Sequence, residues 1–477
     1  MPISSMSVSQ ATSASAGKRH PDRDTISVHQ GDRLAVVRPA VQMFLRSIGL
    51  AAMLWPLWVS GQSDSAKPPL PEPLTLTDAL LLGITAHPDL AIAQSGVTAA
   101  EIQLGKVDSS YGFDAFVELQ PRLSSRAALE AVDFEDDSRY GLVVKKRLTD
   151  FGRTERRKEA ARSDVAANQA RFVTRRDRHM LDIMRSFFSV ILADHAYRAL
   201  NERLTIDYFR YSRMAERRDR FEQYSDLEVA QREAAYRKAY VARHRADLER
   251  RQRRHALALR LGRPGELSSE LVVPDLSVYQ LREIPEYNDI VEQVISTSSV
   301  LDAHRAGVAS AQAKVEVAKK LNSPVLSADF EAREYHDSSF SSRDRYRLNL
   351  KFIMPLFNGT RTRDTEVALA ENALAQKQAE LLAAEYAVRE EVMTLVNDLL
   401  INRTAAVAAD ADETYRGYYQ DRSRAMYEME MRSDLGDAQA AAAEALLEVT
   451  RVDFEQALLW AEMDALLARP VALMEEK

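Results

Sequence analysis

Residues able to do chemistry are thinly spread along this chain. It has nine histidines and no cysteine, which removes disulfides, thiolate nucleophiles, cysteine zinc sites and a lipidated N-terminal cysteine together. No His-Glu-x-x-His pair, phosphate loop or nucleophile elbow occurs. His244 and His255 would share a helix face, yet about 16 Å would separate them along its axis, too far to hold one ion directly. The run Glu249-Arg-Arg-Gln-Arg-Arg-His255 has the composition of a nucleic-acid patch, but in a chain of net charge −7 it reads as a solvated helical face. Asp434 stands where Ser, Asp or Asn caps a helix start, with Asp437 three residues on. The expectation is a protein that is not an enzyme, with no catalytic residue, cofactor or metal and no nucleic-acid partner.

What these residues sit on is set by an internal repeat. Tyr140-Gly-Leu-Val-Val-Lys-Lys-Arg-Leu-Thr-Asp-Phe151 aligns without a gap on Tyr346-Arg-Leu-Asn-Leu-Lys-Phe-Ile-Met-Pro-Leu-Phe357, about 206 residues later. Ser225-Asp-Leu-Glu-Val-Ala-Gln231 then matches Ser433-Asp-Leu-Gly-Asp-Ala-Gln439, and both copies stop alike, at Leu261-Gly-Arg-Pro264 and Leu467-Ala-Arg-Pro470. A period this long signals a duplicated half-domain, not a solenoid unit.

The expected organisation is a leader and signal peptide over 1–61, a first repeat over 62–264, a linker over 265–284, a second repeat over 285–470 and a tail over 471–477. The leader rests on the apolar run Ile48 to Val59 behind Met43-Phe-Leu-Arg46, with small residues near Gly61. The run is shorter than the ~20 residues of a membrane-spanning helix and fits a secretory signal, so the chain is expected to be exported. Either Met43 is the start or the leader is unusually long.

Within each repeat the hydrophobic period changes. From Arg153 to about Arg220, and from Thr360 to about Glu428, no proline interrupts a helical pattern that would span about 100 Å. Val367, Leu374, Leu381, Val388 and Leu395 recur every seven residues, with Val392 and Leu399 on the alternate seam, which is coiled-coil spacing. Ala368, Ala375, Ala379, Ala383 and Ala387 would let neighbouring helices approach closely. Leu181, Met184, Phe188 and Ile191 keep the same spacing in the first copy. Return helices are expected over about 226–262 and 434–468.

Ahead of each long helix the period is two, predicting strands over about 113–123, 139–148, 325–335 and 345–354. Tyr346, Leu348, Leu350 and Phe352 alternate with Arg347, Asn349 and Lys351, giving one polar face and one suited to lipid. Phe116 breaks the alternation in the first copy. Four strands cannot close into a barrel, and open sheet edges in hydrocarbon cost several kcal/mol per unpaired group. Other chains must therefore supply strands, and three chains would give twelve.

In this frame the chain resembles the outer-membrane efflux protein family, the TolC-like outer membrane factors, over about Leu74 to Pro470. The marks are Leu74-Thr-Leu-Thr-Asp-Ala79 with His87-Pro-Asp-Leu90, the strand-ending Phe151-Gly152 and Leu356-Phe-Asn-Gly359, and the two Asp-x-x-x-Ala-Gln turns. The resemblance implies an α+β membrane protein. Long coiled-coil-like helices would form a periplasmic α-barrel, and two β-hairpins would contribute four strands to a trimeric 12-stranded outer-membrane β-barrel. It implies a passive exit duct for a tripartite efflux pump or type I secretion system, working as a homotrimer with a periplasmic adaptor and an inner-membrane pump. Asp434 and Asp437 match the family's acidic constriction, and Tyr224, Ser225, Asp226, Arg432 and Ser433 its adaptor-docking tips. The family's glycine six residues before the turn Asp is replaced by Arg220 and Glu428, and the second copy has Ser299-Val300 in place of the His87-Pro88 step. The alternative of another class is a non-channel coiled-coil scaffold, which would share the heptads but have no use for alternating strands.

Overall fold

The computed structural model describes residues 70–125, 134–136, 138–266, 270–335, 344–355, 360–431 and 434–470. The leader, the tail, residues 126–133 and 336–343 at the hairpin tips, Leu356 to Gly359 and the tip residues Arg432 and Ser433 lie outside them. In chain order the elements are α1 (Leu76–Ala86), α2 (Pro88–Ser109), β1 (Phe113–Gln120), β2 (Leu123–Ser125), β3 (Phe134–Asp136), β4 (Arg139–Thr149), α3 (Arg153–Phe221), α4 (Asp226–Arg260), α5 (Ser277–Gln280), α6 (Tyr287–Thr297), α7 (Ser299–Lys319), β5 (Val325–Tyr335), β6 (Tyr346–Ile353), α8 (Thr360–Glu428) and α9 (Leu435–Leu466). The long helices α3 and α8 have 69 residues each. No single described helix is long and apolar enough to cross a membrane.

The start of α3 and the far ends of both long helices are set by local chemistry, and the stops recur in the two repeats. Ahead of α3 the buried Asp150 accepts hydrogen bonds from the Thr154 backbone N–H (3.0 Å), the Thr154 hydroxyl and the Tyr111 hydroxyl (2.6 Å). That supplies an acceptor for donors a helix start leaves free. At the far ends the chain turns through left-handed residues, Glu222 (φ 49°) and Glu430 (φ 57°). The return helices close in the same way, at Gly262 (φ 66°) and Ala468 (φ 53°), with Arg263 N–H donating to Ala258 O and Arg469 N–H to Asp464 O, both at 2.9 Å. A proline follows each stop, where the helix could not continue. The α1–α2 step at His87 has its counterpart at Ser298, between α6 and α7, without a proline.

Among the described residues the main sheet and the two levels of long helices are each four elements wide. The strands are ordered β1–β4–β5–β6, all antiparallel. Next to the sheet the helices run α2, α3, α7, α8, and toward the far tip α4, α3, α9, α8. The same chain segments therefore form the two margins throughout: β1, α2 and α4 on one side, β6 and α8 on the other. Between the two helical levels lies the core, where Met184, Phe187 and Phe188 of α3 meet Val392 and Leu399 of α8 and Phe454 and Trp460 of α9. Phe188 and Phe454 stack at 4.3 Å.

Three expectations are corrected. The first strand ends at Gln120, not at residue 123, because Pro121 has no N–H for the ladder; β2 resumes at Leu123 and pairs with β3. The helix after Asp226 ends at Arg260. The segment expected to be a linker is docked: Val272 N–H donates to Leu74 O, Leu74 N–H to Glu270 O, and Tyr279 of α5 is buried.

Candidate functional site

Two regions hold the residues singled out from the sequence. The first is the sheet. Residues paired across an antiparallel ladder share a face, so the register assigns sides directly. Ser327, Asp329 and Glu331 pair with Lys351, Asn349 and Arg347, joining the polar residues of β5 and β6 on one face. An ion-pair network covers that face: Lys351–Asp329 at 2.6 Å, Arg333–Glu118 at 3.0 Å and Arg333–Glu331 at 3.2 Å. Asp329 is 4% exposed. The other face brings together Tyr346, Leu348, Leu350 and Phe352 with Leu326, Phe330, Val144, Leu142, Ala115 and Val117. Leu348 and Leu350 are 71% and 70% exposed. Phe116 sits on the polar face, its ring 5.2 Å from Lys145 Nζ. Lys146 falls on the apolar face, over the Phe113 ring at 4.0 Å.

The second region is the helical tip. Here Asp437, in the first turn of α9, is tied to α3: it accepts from Arg210 Nη1 at 3.0 Å, also from Arg210 Nη2, and from Arg203 Nη1 at 3.5 Å. The bond to Asp437 holds the Arg210 guanidinium above its ordinary range. Gly436 permits this approach, since a Cβ there would lie 2.9 Å from Ile206 Cγ1. Asp434 does not cap α9 through its side chain; its Oδ2 accepts the Tyr419 hydroxyl at 3.1 Å. The equivalent turn of the first repeat is different. Ser225 and Glu228 form a reciprocal capping box, and Asp226 is exposed with Arg218 at 3.3 Å. Tyr224 lines a cleft of ≈ 620 Å³ with Phe209, Arg213, Arg217, Arg232 and Tyr427.

The other chemical candidates fall away. His244 and His255 are exposed, and the arginine run is engaged along α4, Arg254 with Asp194 and Arg251 with Asp247. No cluster of three or more metal-ligating side chains occurs among the described residues. Arg203 and Arg210 were missed in the sequence, although their spacing of seven puts them on one helix face. Asp150 was missed too, its only signal being an Asp four residues before a Thr at a helix start.

No protein-family model matches the chain, and no curated protein does. Solved structures do. The Campylobacter jejuni CmeC outer membrane channel superposes with a TM-score of 0.68 at 16% identity, covering 82% of this chain and 85% of that one. The CusC channel gives 0.67 at 17% identity, with 83% and 92% covered. The open state of the Neisseria gonorrhoeae MtrE outer membrane channel gives 0.65 at 15%, with 83% and 89% covered. The chain shares the fold of these outer membrane channels.

Proposed function

We propose that three copies of this chain close into a duct that crosses the outer membrane and extends into the periplasm, the passive exit of an export pump. The observation that carries it is the pair of open margins. Among the described residues β1 and β6 each present one unpaired ladder edge, while the sheet between them exposes an apolar band on one side and an ionic face on the other. An open edge cannot persist in hydrocarbon, and closing four-stranded sheets edge to edge in threes gives twelve strands. The apolar band then faces lipid and the ion-pair face lines an aqueous lumen. A coiled-coil scaffold has no use for such a sheet.

The tip is the proposed gate and the docking end for an adaptor and its inner-membrane pump. Near the core, α3 and α9 are joined by aromatic packing; at the tip they are joined by charged pairs and a glycine contact, which water can replace at small cost. Tyr224, Ser225, Asp226, Arg432 and Ser433 would meet the adaptor, and Asp434 and Asp437 would set the constriction. Cell fractionation followed by mass measurement of the detergent-purified protein tests the reading. An outer-membrane trimer is expected; a monomer, or protein left in the cytosol, would sink it.

A further inference from the structure

The two margin helices each carry a second apolar stripe that the protomer leaves open, and the stripes are opposite in charge. On α4, Val229, Tyr236, Arg243, Arg250 and Leu257 recur every seven residues and face α3: Val229 and Leu257 are buried, Tyr236 stacks on Tyr211, Arg243 reaches Asn201 and Arg250 lies over Tyr197. Residues two and five places further on lie on the opposite side of a helix. On α4 these include Leu227, Val241, Leu248 and Leu259, all exposed, with Leu248 at 52%.

The same holds for α8. Val388, Leu395, Asn402 and Ala409 are buried toward the neighbouring helices, Asn402 donating to Val452 O on α9. Opposite them Tyr386, Met393, Leu400 and Val407 are exposed at intervals of seven, with Val407 at 68%. A helix that is apolar on opposite sides has two partners. In the lateral order α4, α3, α9, α8 the helices α4 and α8 stand at opposite margins of the described residues and are not packed as neighbours.

Charge identifies the missing partner. Lys238 and Arg245 lie on the α4 stripe, whereas Asp421 lies on the α8 stripe and Asp410 beside it; none of the four has an oppositely charged partner among the described residues. Between Arg232 and Arg260 ten Arg or Lys accompany three Asp or Glu, and between Glu385 and Glu413 seven Asp or Glu accompany two Arg. Two identical α4 faces would repel, as would two α8 faces. We propose that α4 of one copy packs on α8 of the next in a head-to-tail seam whose charge complementarity sets the direction of ring closure. Such a contact is heterologous and generates a ring, and it lies on the same margins as β1 and β6. The inference rests on the trimeric duct proposed above and names the surface that closes it.

The test is a charge swap in the full-length protein, read by native mass spectrometry in detergent at low and high ionic strength. K238E/R245E and D410K/D421K should each lower the trimer fraction about tenfold at low salt, with less effect once salt screens the seam. The quadruple variant restores opposite charges at every seam and should recover trimers, which also shows that the reversals do not prevent folding. Co-expressed with differently tagged wild type, it should form separate trimers, because each mixed ring juxtaposes like charges. A monomeric wild type would remove the duct itself. A trimeric wild type whose assembly ignores both double reversals, or a quadruple variant that mixes freely with wild type, would leave the duct and overturn the seam.

Discussion

Removing the Arg210–Asp437 tie should open the proposed gate. The pair is bidentate, and its side chains are 30% and 38% exposed, so solvent screens it and the upper end of the exposed-pair range applies, about 1 kcal/mol per protomer. If three protomers open together, about 3 kcal/mol is lost from the closed state, roughly a 150-fold shift in the closed-to-open ratio. Single-channel conductance of the purified protein in planar bilayers reads this directly. Arg210→Ala and Asp437→Ala should each raise the open fraction by a similar factor, and the double variant should add little, because both remove one interaction. An acidic iris makes the opposite forecast. There Arg210→Ala unmasks a carboxylate and strengthens block by multivalent cations, while Asp437→Ala weakens it. If the two variants move the block in opposite directions, or leave the open fraction unchanged, the tie is not a latch and the ring of carboxylates is the better account.

Three further perturbations follow from the geometry. Leu348→Arg or Leu350→Arg should cost about 2–4 kcal/mol near the midplane and deplete assembled trimer, whereas Asn349→Arg, on the ionic face, should be mild; equal losses would mean that the faces are misassigned. Asp150→Ala should destabilise the start of α3 by about 1–3 kcal/mol, seen in denaturant unfolding, by stranding the buried Thr154 N–H. Burial alone would raise the Asp150 pKa, but hydrogen bonds from Thr154 and Tyr111 outweigh it and hold the group below its ordinary value. Its contribution is therefore present above about pH 3.9 and lost as pH falls through the folded value; Asp150→Asn should flatten that acid limb. His179 is held low by burial and then by the His87 ring, 4.1 Å away. The unfolded chain then binds the extra proton, so stability should decline as pH falls below about 6.5, and a His179→Gln variant whose pH profile matched wild type would remove His179 as the cause.

How far the sequence could be read depended on how many neighbours each residue answers to. β6 was legible from Tyr346 to Phe352 because each of its faces meets one environment there, so the alternation survives over that stretch. β1 was harder because Phe116 sits among charges under Lys145, and a dyad pattern cannot anticipate a cation held over a ring. The long helices were legible through Leu181, Met184, Phe188 and Ile191, which all reach the core. What a heptad cannot state is which helix it faces. The contact between Arg210 and Asp437 joins the two repeats across more than two hundred residues of sequence, and no local period records it. Asp434 looked like a cap, and its side chain turned instead to Tyr419 on the preceding helix, a choice set by where the two helices meet.

The duplication explains why the second stripes escaped notice. Both repeats build the same pair of helices, so a purely repeated sequence would make every lateral joint alike, and six joints of one kind could close with the wrong neighbour. The copies have diverged against that outcome. The joint inside the chain, α3 with α9, is aromatic at the core, with Phe188 stacked on Phe454 and Trp460 buried. The margins carry mostly aliphatic side chains and a charge bias, basic on α4 and acidic on α8. Aromatic packing secures a joint that one chain makes on folding, while the proposed charged seams of opposite sign would let free protomers associate, reject a reversed neighbour and correct errors before the ring is complete. Such a division predicts that salt weakens assembly far more than it weakens folding of the protomer. Comparing the ionic-strength dependence of trimer formation with that of monomer unfolding would show whether the two joints differ in this way, and equal salt dependence would mean that the margins, like the core, close by apolar packing alone.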